Sequence, residues 1–293
     1  MISRQRRARE MSLAYFLLLP SLAIFALFVF YPFFKNFYLG LFRTPPFPGL
    51  PKTYVGFDQY SEVLSSSEFL NSLKTTIAFA IMTVPTGIVL GLGLAVLAHR
   101  QLRGVGIYRT IFSSTVATSV AVASVIFGTL FNPVVGLLPW LGIDPRPPIL
   151  DNPDLALPAV AIVTIWQTLG LTFILMSSGL QTIPEDLYEA ARVDGATPTR
   201  RFWQVTLPLL SPTIFFAVVV GSIFAFQTFG QIDLLTQGGP LKRTNVLTYF
   251  IVTSLRQQNN DGKAAVLAVA LFSITLVLTL IQVRVLERRV HYA

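Results

Sequence analysis

The run LALPAVAIVTIWQTLGLTFILMSSGL, residues 155–180, contains no Asp, Glu, Lys or Arg. An α-helix needs about 20 apolar residues to cross a hydrocarbon core about 30 Å thick. Five further runs meet that length, at 13–34, 73–97, 111–131, 205–230 and 264–283, and Lys74 at one outer edge is the single charge among them. Composition agrees: 53% of the 293 residues are hydrophobic and 12% are charged, against roughly 25% charged in soluble domains. Mean hydropathy is +0.64, so a soluble fold would have to expose large apolar patches. The chain reads as an all-α polytopic membrane protein with six transmembrane helices and lipid as its solvent.

The charges give that bundle a direction. Arg4, Arg6, Arg7 and Arg9 precede the first run, in a basic segment at 1–12. With an even number of spans, Arg100, Arg103, Arg109, Arg192, Arg200, Arg201, Arg284, Arg288 and Arg289 fall on the same side as that segment. Thirteen of the 22 basic residues therefore lie there, in short connections, and the positive-inside rule predicts that both termini are cytoplasmic. The first run follows arginines as a secretory signal would. It is nevertheless long for a signal, and Tyr31, Phe33 and Phe34 stand where a small-residue cleavage site belongs, so it reads as a retained helix. A formal charge of +8 spread through loops suits a membrane surface and no nucleic acid. With no cysteine, disulfides, thiolate metal sites and a cysteine nucleophile are excluded. His99 and His291 sit at membrane borders without partners for a metal or for catalysis.

On the other side the loops are turn-forming: Thr44-Pro45-Pro46-Phe47-Pro48-Gly49, Asp144-Pro145-Arg146-Pro147-Pro148 and Gln237-Gly238-Gly239-Pro240. None has the length of a globular domain, and no internal repeat stands out. In the second run Pro85, Gly87, Gly91 and Gly93 allow close helix approach or a hinge.

The connection between the fourth and fifth runs, QTIPEDLYEAARVDGATPTRRFWQVTLPLLSP at 181–212, carries the densest local signals. Thr182 and Glu185 have capping-box spacing, and Glu185 and Asp186 suit the positive end of a helix dipole. Gly195 is a natural left-handed residue after a helix ending near Asp194. Thr197 can cap a second helix with Pro198 at its first position, and Leu207-Pro208 with Pro212 mark a bend. Glu189, Ala190 and Ala191 place one charge beside two small side chains, with Arg192 and Asp194 flanking. Residues alone leave two readings: a knob that seats in another protein's groove, or a solvated loop whose alanines are helix formers.

EAARVDGATPTRRFWQVTLPLLSP resembles the "EAA" signature of the inner-membrane components of ABC importers, through Glu189, Ala190, Ala191, Asp194, Gly195, Ala196, Phe202, Leu207 and Pro208. LLLPSLAIFALFVFYPFFKNFYLGLF at 17–42, YVGFDQYSEVL at 54–64 and LTQGGPLKRTNVLTYFIV at 235–252 extend the likeness to the carbohydrate and glycerol-3-phosphate group, as a maltose-type "F" or glycerol-3-phosphate-type "A" subunit. Two departures are Leu73-Lys74-Thr75, where many relatives carry an asparagine before the threonine, and the lack of the enterobacterial maltose subunit's large extracellular domain. The resemblance implies a type I importer permease domain over 13–293 in a bacterial or archaeal inner or plasma membrane. Its partners would be a second homologous permease, an ATPase dimer and an extracytoplasmic binding protein. A coupling loop at 181–204 would dock on the ATPase: Glu189 pairs with a basic residue, Ala190 and Ala191 fill the groove, and Gly195 permits the turn beside Asp194. ATP and magnesium would belong to the partner, leaving this chain with no cofactor, metal or catalytic residue.

No Gly-x-x-x-x-Gly-Lys-Ser/Thr pattern occurs in the chain. No carboxylate lies inside a run either, which disfavours a standalone secondary carrier, the alternative reading. The absence of any His, Asp, Glu or Cys cluster disfavours a membrane enzyme. Neutral polar residues do occur mid-run: Thr164, Gln167 and Thr168, with Trp166 alongside, and Phe224, Gln227 and Thr228. Amides and hydroxyls beside aromatic faces suit a sugar-like solute, and these positions resemble the substrate-contacting stretches of the maltose-type subunit. Interhelical hydrogen bonding is the other use of such residues. Apart from Lys74 at an outer edge, no basic residue lies in the runs, which favours a neutral saccharide over glycerol-3-phosphate or a glycerophosphodiester.

Overall fold

The computed structural model describes residues 4–45, 47, 49–99, 104–143 and 145–286. Pro46, Pro48, Arg100, Arg103, Asp144, Arg288, Arg289 and His291 lie outside the described residues, as do the side chains of the basic segment at 1–12. The described residues form helices joined by short connections, plus one ribbon of two two-residue strands. Contacts divide the chain into two units, Met1–Ser66 with Ile251–Ala270, and Ser67–Phe250 with Leu271–Ala293.

In the first unit, α1 (Arg4–Phe25) passes through a π-helical turn, Ala26–Phe30, into α2 (Tyr31–Leu39). Pro20 lies inside α1, where it removes one backbone donor. None of the most apolar window of this span, Leu13–Leu39, is buried, so its surface is left to lipid or to another chain. Strands β1 (Phe42–Arg43) and β2 (Thr53–Tyr54) pair antiparallel, Phe42 opposite Tyr54, and α3 (Asp58–Ser65) follows. Tyr60 donates to the Phe37 carbonyl at 3.0 Å, and buried Gln59 donates to that of Gly40 at 3.2 Å. Arg43 pairs with Glu62.

The second unit is built on α4 (Ser67–His99), α5 (Val105–Ser114), α6 (Val120–Leu130), α7 (Leu137–Trp140) and α8 (Ala156–Gln181). Four short helices follow, α9 (Glu185–Val193), α10 (Pro198–Arg201), α11 (Leu207–Leu209) and α12 (Ser211–Phe226), then α13 (Gly230–Leu235); α14 (Leu247–Arg256) and α15 (Asp261–Leu286) are each divided between the two units, at Phe250 and Ala270. Two apolar clusters hold it. One joins Ala95 and Ala98 of α4 to Phe173, Met176 and Leu180 of α8, and to Leu210 and Ala217. The other joins Phe79 of α4 to Val160 and Ala161 of α8, Ala225 of α12, Ile232, Val246 and Tyr249. Between α4 and α8 the approach is close at Gly91, where a Cβ would sit 2.6 Å from Thr172 Cγ2, whereas Gly93 faces open space. Only part of the glycine series of the second run is therefore a packing device. A polar link joins the fifth and sixth runs, Gln282 Nε2 donating to Ser222 Oγ at 2.9 Å.

Six runs of spanning length resolve into four uninterrupted helical spans and two bent pairs. Val105–Ala117 and Val120–Leu130 meet at 105°. The break is a new helix start inside an apolar run: Ser119 is extended (φ −70°, ψ 156°) and its side chain accepts from Val122 N, as an N-cap does. Pro198–Leu209 and Ser211–Phe226 meet at 64°, where Pro208 and Pro212 deny backbone donors to a continuous helix.

Candidate functional site

A cavity of about 440 Å³ lies in the second unit, lined by α4, α8, α12, α13 and the elbow between α5 and α6. Along α4 it occupies Thr83–Ile88, between Phe79 of one apolar cluster and Ala95 of the other. Along α8 it occupies 164–175, after Val160 and before Met176.

All six mid-run residues singled out by sequence, Thr164, Gln167, Thr168, Phe224, Gln227 and Thr228, line this one cavity. Trp166 does not; its ring packs edge-on against Phe127 at 5.3 Å between centroids, and Phe224 and Phe229 supply the aromatic surface instead. The threonine hydroxyls donate to carbonyls four residues earlier: Thr164 to Val160 at 3.1 Å, Thr168 to Thr164 at 2.8 Å, Thr228 to Phe224 at 3.1 Å, Thr83 to Phe79 at 2.8 Å. A hydroxyl that has donated keeps lone pairs for an incoming donor, so this wall offers acceptors to a solute's O–H groups. No charged residue lines it.

Gln167 is held from two sides. Its Nε2 donates to the Thr118 carbonyl at 3.1 Å, and its Oε1 accepts from Gln231 Nε2 at 2.7 Å. Neither Gln231 nor Thr118 stood out in the sequence. Gln231 is four residues from Gln227, but the helix stops at Phe226 and restarts at Gly230, and no periodicity foretells where the new helix points. Thr118 contributes only a carbonyl, freed by the elbow.

The second candidate, the α8–α12 connection, is built largely as its sequence predicts. Helix α9 covers Glu185–Val193 and Asp194 is its C-cap. Gly195 has φ +74°; its N–H donates to the Arg192 carbonyl at 3.0 Å and that of Ala196 to Ala191 at 2.9 Å, the paired bonds of a Schellman ending. Thr197 caps α10, accepting from Arg200 N, with Pro198 first in the helix. The expected Thr182–Glu185 capping box is not formed. Thr182 is the C-cap of α8 and its hydroxyl donates back to Gly179 at 2.8 Å, so α9 begins behind Pro184 without a side-chain cap. Glu185 instead binds Arg192 at 2.7 Å, which leaves Glu189 4.0 Å from that guanidinium. Glu189, Ala190, Asp194 and Gly195 are exposed and Ala191 is half-buried: two carboxylates with small side chains between them on an open face.

Residues 64–292 match the family described as the binding-protein-dependent transport system inner membrane component. The chain belongs to this family. The permease is 39% identical over 285 residues, 96% of each chain, to the sn-glycerol-3-phosphate transport system permease protein UgpA of Agrobacterium fabrum. It is 38% identical to that of Rhizobium meliloti and 36% to that of Yersinia enterocolitica, again over 96% of each chain. A chain from the crystal structure of a bacterial alginate ABC transporter, in complex with an alginate pentasaccharide-bound periplasmic protein, overlays with a TM-score of 0.83. That likeness covers 97% of both chains at 23% identity, and it is one of fold. The protein is a multi-pass, inner-membrane permease subunit of an ABC importer.

Proposed function

We propose that the permease passes a hydroxyl-rich solute, a saccharide or a glycerol-phosphate compound, through the cavity between α4, α8 and α12. The observation that carries this reading is the convergence of Thr164, Gln167, Thr168, Phe224, Gln227 and Thr228 on one uncharged, mid-bundle cavity. Acceptor hydroxyls and an oriented amide beside Phe224 suit a ring or chain that carries O–H groups. Names of the relatives supply the second reading, sn-glycerol-3-phosphate. On that reading the cations for the phosphate come from another subunit, because this wall has none.

Family membership supports the remaining parts of the proposal. A binding protein delivers the solute on the outside, a homologous second permease completes the pathway, and an ATPase dimer binds and hydrolyses ATP, so this chain is no enzyme. Helix α9 docks on the ATPase through Glu189, Ala190 and Ala191, beside Asp194, and Gly195 closes its end. Both termini and the 181–204 loop are then cytoplasmic, the side to which the arginine distribution assigns them.

The test is uptake by the complete transporter in proteoliposomes, comparing a labelled neutral oligosaccharide with labelled glycerol-3-phosphate. Gln167→Leu and Thr168→Val are expected to raise the half-saturating concentration of the transported solute about tenfold, as the loss of one or two hydrogen bonds of ~1 kcal/mol each implies. Unchanged kinetics in both variants would remove the cavity from the pathway. A transporter that moves solute without an ATPase would favour the standalone carrier.

A further inference from the structure

Helix α9 is attached to the rest of its unit at few points. None of its residues is buried, and only Tyr188 and Ala191 are half-buried. The Tyr188 ring packs against the apolar cluster that contains Phe173, Met176 and Leu210. Its Oη lies 3.1 Å from Thr206 Oγ1, and Thr206 is 6% exposed. Thr206 closes a π-helical turn, Phe202–Thr206, directly ahead of the 64° bend into α12. Helix α12 in turn carries Phe224 to the cavity wall.

The chain itself also joins α9 to α12, but by a turn through Gly195 and Thr197 that includes a helix end, a cap and a bend. Such a route can flex at each joint. A side-chain hydrogen bond spans the joints directly and fixes both distance and direction, whereas apolar packing alone is non-directional. Wide π turns recur at functional sites inside helices, and this one ends on the bonded threonine.

We infer that Tyr188 is a positioning residue: its phenol, bonded to Thr206, carries displacement of α9 to the root of α12 and so to the cavity. The inference rests on the reading of α9 as the ATPase-docking element. It separates two jobs on one helix: the exposed Glu189–Ala190 face meets the partner, while Tyr188 on the inner face connects that meeting to the membrane.

The test uses the complete transporter in proteoliposomes with Tyr188→Phe, Thr206→Val, the double variant and Thr206→Ser. Solute moved per ATP hydrolysed is measured, together with the amount of ATPase that co-purifies. Each of the first two variants is expected to keep its ATPase and to lower solute per ATP about fivefold, the factor equivalent to one hydrogen bond of ~1 kcal/mol. The double variant should be no worse than either single, since both remove the same bond, and Thr206→Ser should match the parent. Parental ratios in both single variants, or losses that multiply in the double, would overturn the inference. So would a Tyr188→Phe variant that sheds the ATPase, because Tyr188 would then belong to the docking face. Failure of the docking reading shows separately, as ATPase retention unaffected by Glu189→Ala and Ala190→Arg.

Discussion

Single residues in this permease divide by what surrounds them, and the glycines make the division measurable. Gly91 and Gly93 stand two apart in one apolar run, yet a Cβ at Gly91 would meet Thr172 at 2.6 Å and one at Gly93 would meet nothing within 4 Å. Gly91→Val is expected to lower the stability of the detergent-solubilised protein by about 1–3 kcal/mol through overpacking. Gly93→Ala should leave it unchanged or raise it slightly, since alanine is the better helix former; thermal unfolding of the two variants is the comparison to make. Gly195 is constrained by φ alone, +74° with open space around it. Replacement there strains the backbone by about 1 kcal/mol without a clash, so the loss should appear as faster hydrogen exchange in α9 and not as global unfolding. Tyr60 is a case of chemistry set by burial, which pushes its hydroxyl above the ordinary tyrosine pKa. The folded state prefers the neutral phenol, so this contribution is fully present below about pH 10 and is lost as pH rises through the folded value. Tyr60→Phe is therefore expected to flatten the alkaline fall in thermal stability, and an unaltered fall would assign it to other groups.

Elements obey local rules where the chain is polar and escape them where it is apolar. Around α9 and α10 the ends are written in single residues, Gly195 and Thr197, each in its expected conformation. One local rule loses: Thr182 has capping-box spacing to Glu185 but is claimed by the last turn of α8, because α8 runs further than its apolar stretch. The elbow between α5 and α6 escaped notice for a different reason. Thr115, Thr118 and Ser119 sit among alanines and valines in a run that reads as one helix, and the chain changes direction by 105° there, because Thr115 and Thr118 find partners on α8 while Ser119 caps α6. Thr115 Oγ1 accepts from Gly170 N at 2.8 Å, and the Thr118 carbonyl accepts from Gln167. Thr115→Val keeps the shape and removes that acceptor, at an expected cost of about 1 kcal/mol. The measurement is again thermal unfolding in detergent, and a neutral result would mean that packing at Gly170 and the Gln167–Thr118 bond hold the elbow without it.

For the molecule as a whole, the absence of native cysteine makes topology directly testable. Val193 is 88% exposed at the end of α9, and Leu241 is 83% exposed in the loop between α13 and α14. With cytoplasmic termini these loops face opposite sides. Val193→Cys should resist a membrane-impermeant maleimide in intact cells and react after lysis, whereas Leu241→Cys should react in both. The reverse pattern would invert the orientation inferred from the arginines.

What the amino-acid order by itself determined is whatever depends on neighbours in the chain: spans from the length of uncharged runs, helix ends from Gly195 and Thr197, and a carboxylate beside two small side chains at Glu189, Ala190 and Ala191 in a polar connection. It also marked Thr164, Gln167, Thr168, Phe224, Gln227 and Thr228 as unusual for lipid, because an uncompensated polar group in hydrocarbon is costly. Only the tertiary structure decided that these six share one cavity, that Trp166 turns away from it, that Gln231 and Thr118 fix the Gln167 amide, and that Tyr188 reaches Thr206. Each of these depends on the angle between helices distant in sequence. Inside an apolar run no alternation of polar and apolar residues records that angle, since lipid and protein interior demand the same side chains.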